Sequence, residues 1–421
     1  VGDAGKLMAD TLAIARAAAE AAARHSYGKL IAFLAARTRD VAGAEDALAD
    51  AFAAALERWQ VEGVPARPEA WLLTVARRRS IDQMRRRQTG IAAEDHLRLM
   101  AEEIEAKDAN EGLPDERLRL MFTCAHPAID AGMRAPLMLQ TILGLDAATI
   151  ASAFLVPPAT MGQRLVRAKS RIRQAGIPFR VPEREELDGR LDAVLEAIYA
   201  AYAEGWTDPN GSESRRRGLA DEAIWLGRLV VSLMPQEPEA LGLLALMLFA
   251  DSRRHARRSP CGDFVPLAEQ DIALWDTAMI AEAETLLGKA AGMGKVGRYQ
   301  LEAAIQSAHA ARLDLGATDW TAIASLYAAL GALTHSPVVA VNHAVAAALA
   351  GRADEALRML DQVADDPRLA EYQPYWAARA EVLERLGDRA AAAAACHRAI
   401  GLEPDPAMRR FLQAKLATLE A

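Results

Sequence analysis

Runs in which Val, Ile or Thr alternate with polar residues are missing from this chain, and aromatic residues make up only 5% of it. Without a period-two pattern no segment reads as a strand, so the expected fold is all-α. Cysteine is almost absent as well: Cys124, Cys261 and Cys396 are the only three and lie far apart. Such spacing excludes a disulfide framework, and Cys124-Ala-His126 reads as two ordinary residues at a helix edge. The longest apolar run, Leu241–Ala250, is about half of what a membrane span needs. The opening Val1-Gly-Asp-Ala-Gly-Lys6 lacks the basic-then-apolar order of a secretion signal, which leads to the expectation of a soluble, cytoplasmic protein. Phosphate loops, nucleophile–base spacings and metal-ligand arrays are missing too. His255, Cys261, Asp263, Glu269, Asp271, Asp276 and His309 are united by none of them. No catalysis, cofactor or metal is therefore expected, and the Arg253–Arg258 cluster is expected to pair with Glu269, Asp271 and Asp276.

What the chain does have is length, apolar bulk and an uneven distribution of charge. Its 421 residues, 52% of them hydrophobic, suffice for two to four domains with real cores. Residues 1–180 carry 25 basic against 22 acidic side chains, and the remainder carries 24 against 35. A mildly basic half joined to an acidic half fits a nucleic-acid binder with a non-binding appendage.

The basic charge is concentrated in Trp71–Arg87, which holds neither Pro nor Gly and follows the Pro-marked segment Val64–Glu69. Trp71, Leu72, Leu73, Val75 and Ala76 make its first turns apolar nearly all round, so that end must be buried. Arg77, Arg78, Arg79, Arg85, Arg86 and Arg87 crowd the other end. A helix rooted in a core with arginines at its tip is suited to phosphates. Upstream, Ala44–Trp59 is amphipathic: Leu48, Phe52, Leu56 and Trp59 share one side, and Asp46, Asp50 and Glu57 lie opposite. That acidic stripe suits a basic partner helix. Residues 5–90 read as a first helical module.

Residues 91–113 are charged and thinly apolar, a linker by composition. Residues 114–176 form a second helical module. Asp146 is placed to cap a helix from Ala147, and Pro158 to open the next. In that last helix Met161, Leu165, Ala168 and Ile172 fall within about 60°. Thr160, Gln163, Arg164, Arg167 and Arg171 lie on the other side. One sealed face and one Arg/Gln/Thr face make a helix-turn-helix whose second helix can enter a major groove. Gln and Arg read base edges, while Lys169 and Arg173 are placed for phosphate. Ile177–Pro182 reads as a hinge. Beyond it residues 183–421 are helical, acidic and Ala-rich. Gly351 and Gly387 recur 36 residues apart in similar surroundings, near the tetratricopeptide period of about 34.

Ala44-Glu-Asp-Ala-Leu-Ala-Asp-Ala-Phe52, Trp71–Arg87 and Thr160–Arg173, in this order and spacing, resemble the extracytoplasmic-function (ECF) sigma factors of bacterial RNA polymerase. The match covers about residues 20–176. The longer chain resembles their subgroup with a tetratricopeptide-like extension. The family's pattern often has an acidic residue where Thr149 stands and a basic one at Gly162. The resemblance implies that Asp46, Asp50 and Glu57 dock on core polymerase. It implies that the Trp71–Arg87 helix opens promoter DNA, aided by base capture in the loop near Gln60–Pro68, and that the Thr160–Arg173 helix reads the upstream element. It further implies that the acidic linker threads the polymerase channel. The extension would regulate activity in cis or bind a partner such as an anti-sigma factor. The alternative kept open is a polymerase-independent helix-turn-helix regulator with a sensing helical-repeat domain; added core polymerase distinguishes the two.

Overall fold

A computed structural model of the chain describes residues 2–87, 116–154, 156–207 and 218–420. Among these residues the regular structure is nineteen α-helices and three short 3-10 turns, with no strand. The fold is all-α. Two compact units divide the chain, Val1–Ala223 and Ile224–Ala421. The linker expected at 91–113 lies outside the described residues.

The first unit opens with α1 (Gly2–Thr38), α2 (Val41–Glu62) and α3 (Pro68–Arg87). Asp40 sets the α1–α2 corner: its Oδ1 accepts from the Gly43 amide at 3.0 Å and caps α2. α2 buries Val41, Ala44, Ala47, Leu48, Ala51, Ala55 and Trp59. The expected apolar face is therefore rotated, with Phe52 half-buried and Leu56 38% exposed. Its alanines account for the shift, because small side chains let α2 lie close to α1.

α4 (Arg117–Cys124), α5 (Ala131–Leu143), α6 (Ala147–Ala153) and α7 (Pro158–Gln174) follow. Gly144, at φ 67°, ends α5. Asp146 Oδ1 accepts from the Thr149 amide at 2.8 Å at the start of α6, and Pro158 is the first residue of α7. These helices do not stand apart from α1–α3: α1 packs on both α4 and α5. At the α1–α5 crossing the backbones nearly touch, since a Cβ added to Gly28 would lie 1.9 Å from the Ile142 carbonyl oxygen. Only glycine fits there.

In the segment 177–182, Ile177 and Pro182 are buried and Phe179 is half-buried, while Pro178, Arg180 and Val181 are exposed. Beyond it α8 (Arg184–Thr207) lies against α5 and α4. Leu191, Val194, Leu195 and Ile198 on α8 are buried, and this apolar stripe draws the helix into the first unit. α9 (Leu219–Leu233) spans the division between the units.

In the second unit α10 (Pro238–Asp251) is apolar all round and almost wholly buried. It carries the run Leu241–Ala250, the longest apolar stretch, as a core helix. α11 (Thr277–Ala291) and α12 (Arg298–Ala310) pack against it. Glu239 at the start of α10 accepts from the Tyr299 and Gln300 amides at 2.9 and 3.2 Å, so one helix caps the next. The arginine cluster is arranged otherwise than expected. Arg254 meets Asp251 at 2.7 Å, Arg253 meets Gln306 at 2.5 Å, and Arg258 pairs with Asp405. Asp271 and Asp276 accept from the Ala273 and Met279 amides as helix caps.

After α13 (Arg312–Leu315) and α14 (Trp320–Thr334) come two hairpins of one design. α15 (Pro337–Leu349) turns at Gly351 into α16 (Ala353–Gln362), and α17 (Gln373–Arg385) turns at Gly387 into α18 (Arg389–Leu402). The glycines have φ of 86° and 82°. The residues after them close the same turn, Arg352 N to Ala347 O at 2.9 Å and Asp388 N to Leu383 O at 3.0 Å. α19 (Pro406–Glu420) covers the end. Among the described residues no helix is long and apolar enough to cross a membrane.

Candidate nucleic-acid interface

Three surfaces of the first unit carry the residues singled out by sequence. On α2, Asp46, Asp50 and Glu57 are all exposed, on a face shared with Ala49, Ala53 and Leu56. This face thus mixes carboxylates with accessible apolar groups.

α3 is rooted as its sequence requires. Leu72, Leu73 and Ala76 are buried, and Trp71 meets Trp59 of α2 edge to face at 5.4 Å. Gly63, at φ 84°, ends α2, and Pro68 opens α3. The intervening loop is thus Gly63–Arg67, shorter than the expected Gln60–Pro68. Arg78 and Arg79 are exposed. Arg77 belongs elsewhere. It is half-buried one turn after Leu73, with its guanidinium 4.7 Å from the Phe33 ring centroid, and Arg37 also lies over that ring at 3.4 Å. A guanidinium held on a buried ring helps root the helix and is removed from the phosphate-facing set. Backbone helix continues to Arg87; the side chains of Arg85, Arg86 and Arg87 lie outside the described residues.

On α7, Met161, Leu165, Ala168 and Ile172 are buried, the four that periodicity selects. Gln163, Arg164, Arg167 and Arg171 are exposed and Thr160 is half-buried. Val166, 61% exposed, adds an apolar group. Lys169 and Arg173 lie one turn apart on the other flank, turned toward α2. Lys169 Nζ meets Glu45 Oε2 at 2.5 Å, and Arg173 Nη1 meets Asp40 Oδ2 at 3.2 Å. These two phosphate candidates are occupied by carboxylates of the chain itself. The pairing was invisible in sequence because the partners are over a hundred residues apart. Burial raises the Glu45 carboxyl above its usual range, against the lowering effect of Lys169.

The remaining candidates do not assemble into a site. Cys124 is buried with its thiol pushed up to about 12 by burial, and His126 Nδ1 accepts from the Ala128 amide at 3.1 Å. Among the described residues no group of three or more His, Cys, Asp and Glu could hold a metal ion.

Comparisons with known proteins bear on the α1–α3 part of the first unit. The family described as Sigma-70 region 2 matches residues 23–89, which span the C-terminal part of α1 and all of α2 and α3. A family of unknown function (DUF6596) matches residues 190–291. An uncharacterized protein of Rhizobium meliloti (strain 1021) is 40% identical over 383 residues, covering 90% of this chain and 90% of that protein. No solved structure matches. The Sigma-70 family comprises transcription-initiation factors rather than enzymes, and its members bind core RNA polymerase and promoter DNA. The chain belongs to one family with the Rhizobium meliloti protein and carries a Sigma-70 region 2 domain, which supports a sigma factor involved in promoter recognition by RNA polymerase.

Proposed function

We propose that this chain is a sigma factor of the ECF type, with the labour divided among α2, α3 and α7. The α2 face of Asp46, Asp50, Glu57 and Leu56 docks on a basic, partly apolar surface of core polymerase. The basic end of α3, led by Arg78 and Arg79, holds downstream promoter DNA while the Gly63–Arg67 loop captures an extruded base. Unstacking that base costs a few kcal/mol, which such contacts must return. On α7, Gln163, Arg164, Arg167 and Arg171 read the upstream element in a major groove.

The observation that carries this reading is α7 itself, sealed along Met161–Leu165–Ala168–Ile172 with a basic polar face in solvent. It stands beside a matched region 2 whose helix α3 ends in arginines. A matched pair of assays tests it. Added core polymerase plus this chain starts transcripts at specific sites, and Arg164→Ala or Arg167→Ala weakens that binding site by site. Sequence-specific DNA binding unaffected by polymerase favours a polymerase-independent regulator.

The second unit is read as a tetratricopeptide-like extension acting in cis or on a protein partner. The identical turn bonding at Gly351 and Gly387 supports the repeat, and the acidic balance beyond residue 180 supports a role opposite basic surfaces.

A further inference from the structure

We propose that Glu45 and Asp40 act as internal stand-ins for DNA phosphates, engaging Lys169 and Arg173 so that DNA must compete with them for these two cations until the α2–α7 contact opens. The inference rests on α7 being a DNA-reading helix.

Both pairs join the same two helices. Lys169 and Arg173 are one turn apart on one flank of α7, and their partners sit at the start of α2, Asp40 as its cap and Glu45 in its first turns. The Lys169–Glu45 pair is the sheltered one, with the two side chains 12% and 16% exposed, whereas Arg173 is 51% exposed in its pair with Asp40. A sheltered pair is screened little by salt, unlike one in open solvent. The base-reading side chains Gln163, Arg164, Arg167 and Arg171 stay in solvent, so the latch withholds phosphate contacts and leaves the reading face open. DNA phosphates and α2 carboxylates thus compete for the same two side chains. The docking face of Asp46, Asp50 and Glu57 lies on the helix that carries Glu45 and follows Asp40. Polymerase seated on α2 is therefore positioned to disturb the latch and free both cations for the promoter.

Phosphate binding is independent of sequence, so the test needs no known promoter. Binding of the full chain to a 30-base-pair duplex of arbitrary sequence (~30 bp exceeds one helix-turn-helix footprint) is measured across a range of salt. Glu45→Ala is expected to tighten binding about fivefold and to steepen the dependence of log affinity on log salt by about one. In Glu45→Ala/Lys169→Ala the gain is expected to vanish. Asp40 is left unchanged because it also caps α2. If Glu45→Ala does not fold, Glu45→Gln, which keeps the size and removes the charge, takes its place. Wild-type binding that Glu45→Ala leaves unchanged in both affinity and salt slope overturns the latch alone. A chain that binds no duplex in any of these forms overturns the latch together with the DNA-reading role of α7.

Discussion

At the residue scale, the arginines of α7 and one buried histidine make the sharpest statements. Arg164→Ala and Arg167→Ala are each expected to weaken binding to the upstream element by about 1–3 kcal/mol per lost base contact. Titrations with a promoter fragment recovered by transcript mapping measure it. Lys169→Ala is expected to cost the free chain less, since its charge is already engaged by Glu45. His309, buried against Trp320 at a ring distance of 5.4 Å, has its pKa pushed down to about 4, first by burial and then by Arg253. The unfolded chain takes up this proton near pH 6.5 and the folded one only near pH 4. Stability is therefore full above pH 6.5 and falls as the pH drops toward 4, by about 3 kcal/mol in all. His309→Gln is expected to flatten that part of the pH dependence of thermal unfolding; identical profiles would place the acid sensitivity elsewhere.

Between elements, the crossing of α1 and α5 depends on a missing side chain. Gly28→Ala brings a methyl against the Ile142 carbonyl, so the helices must separate, at a cost of about 1–3 kcal/mol. Chemical denaturation of the full chain measures it, and no change would mean that the crossing yields freely. Sequence periodicity conveys part of the packing between helices and not the rest. The buried face of α7 follows from the spacing of Met161, Leu165, Ala168 and Ile172, because a 3.6-residue repeat needs no knowledge of the partner. The spacing of Leu48, Phe52, Leu56 and Trp59 points to one face of α2, whereas the buried face is built largely of Ala44, Ala47, Ala51 and Ala55, whose small side chains carry little weight in an apolar pattern. Pro178 and Pro182 mark a bend, yet nothing in their spacing says that α8 folds back onto α4 and α5. Contacts such as Lys169–Glu45 and Arg258–Asp405 link distant segments, and no local pattern encodes them. Arg77 reads as one of six similar arginines until Phe33 is seen beneath it.

For the whole molecule, the division falls at Ala223–Ile224, beyond the proline-marked segment, so that is where cis regulation is tested. A chain ended at Ala223 is expected to change promoter-dependent output with core polymerase; unchanged output would make the second unit a partner-binding scaffold without influence on initiation. On the proposed reading, docking by α2, opening by α3 and base reading by α7 gain from being joined on one promoter. The most direct measurement is therefore to map transcript starts from a genomic template, using purified core RNA polymerase with and without this chain. The account predicts new starts, each preceded by a shared upstream element, that diminish with Arg164→Ala and with Arg78→Ala. Starts that are the same with and without the chain would contradict it.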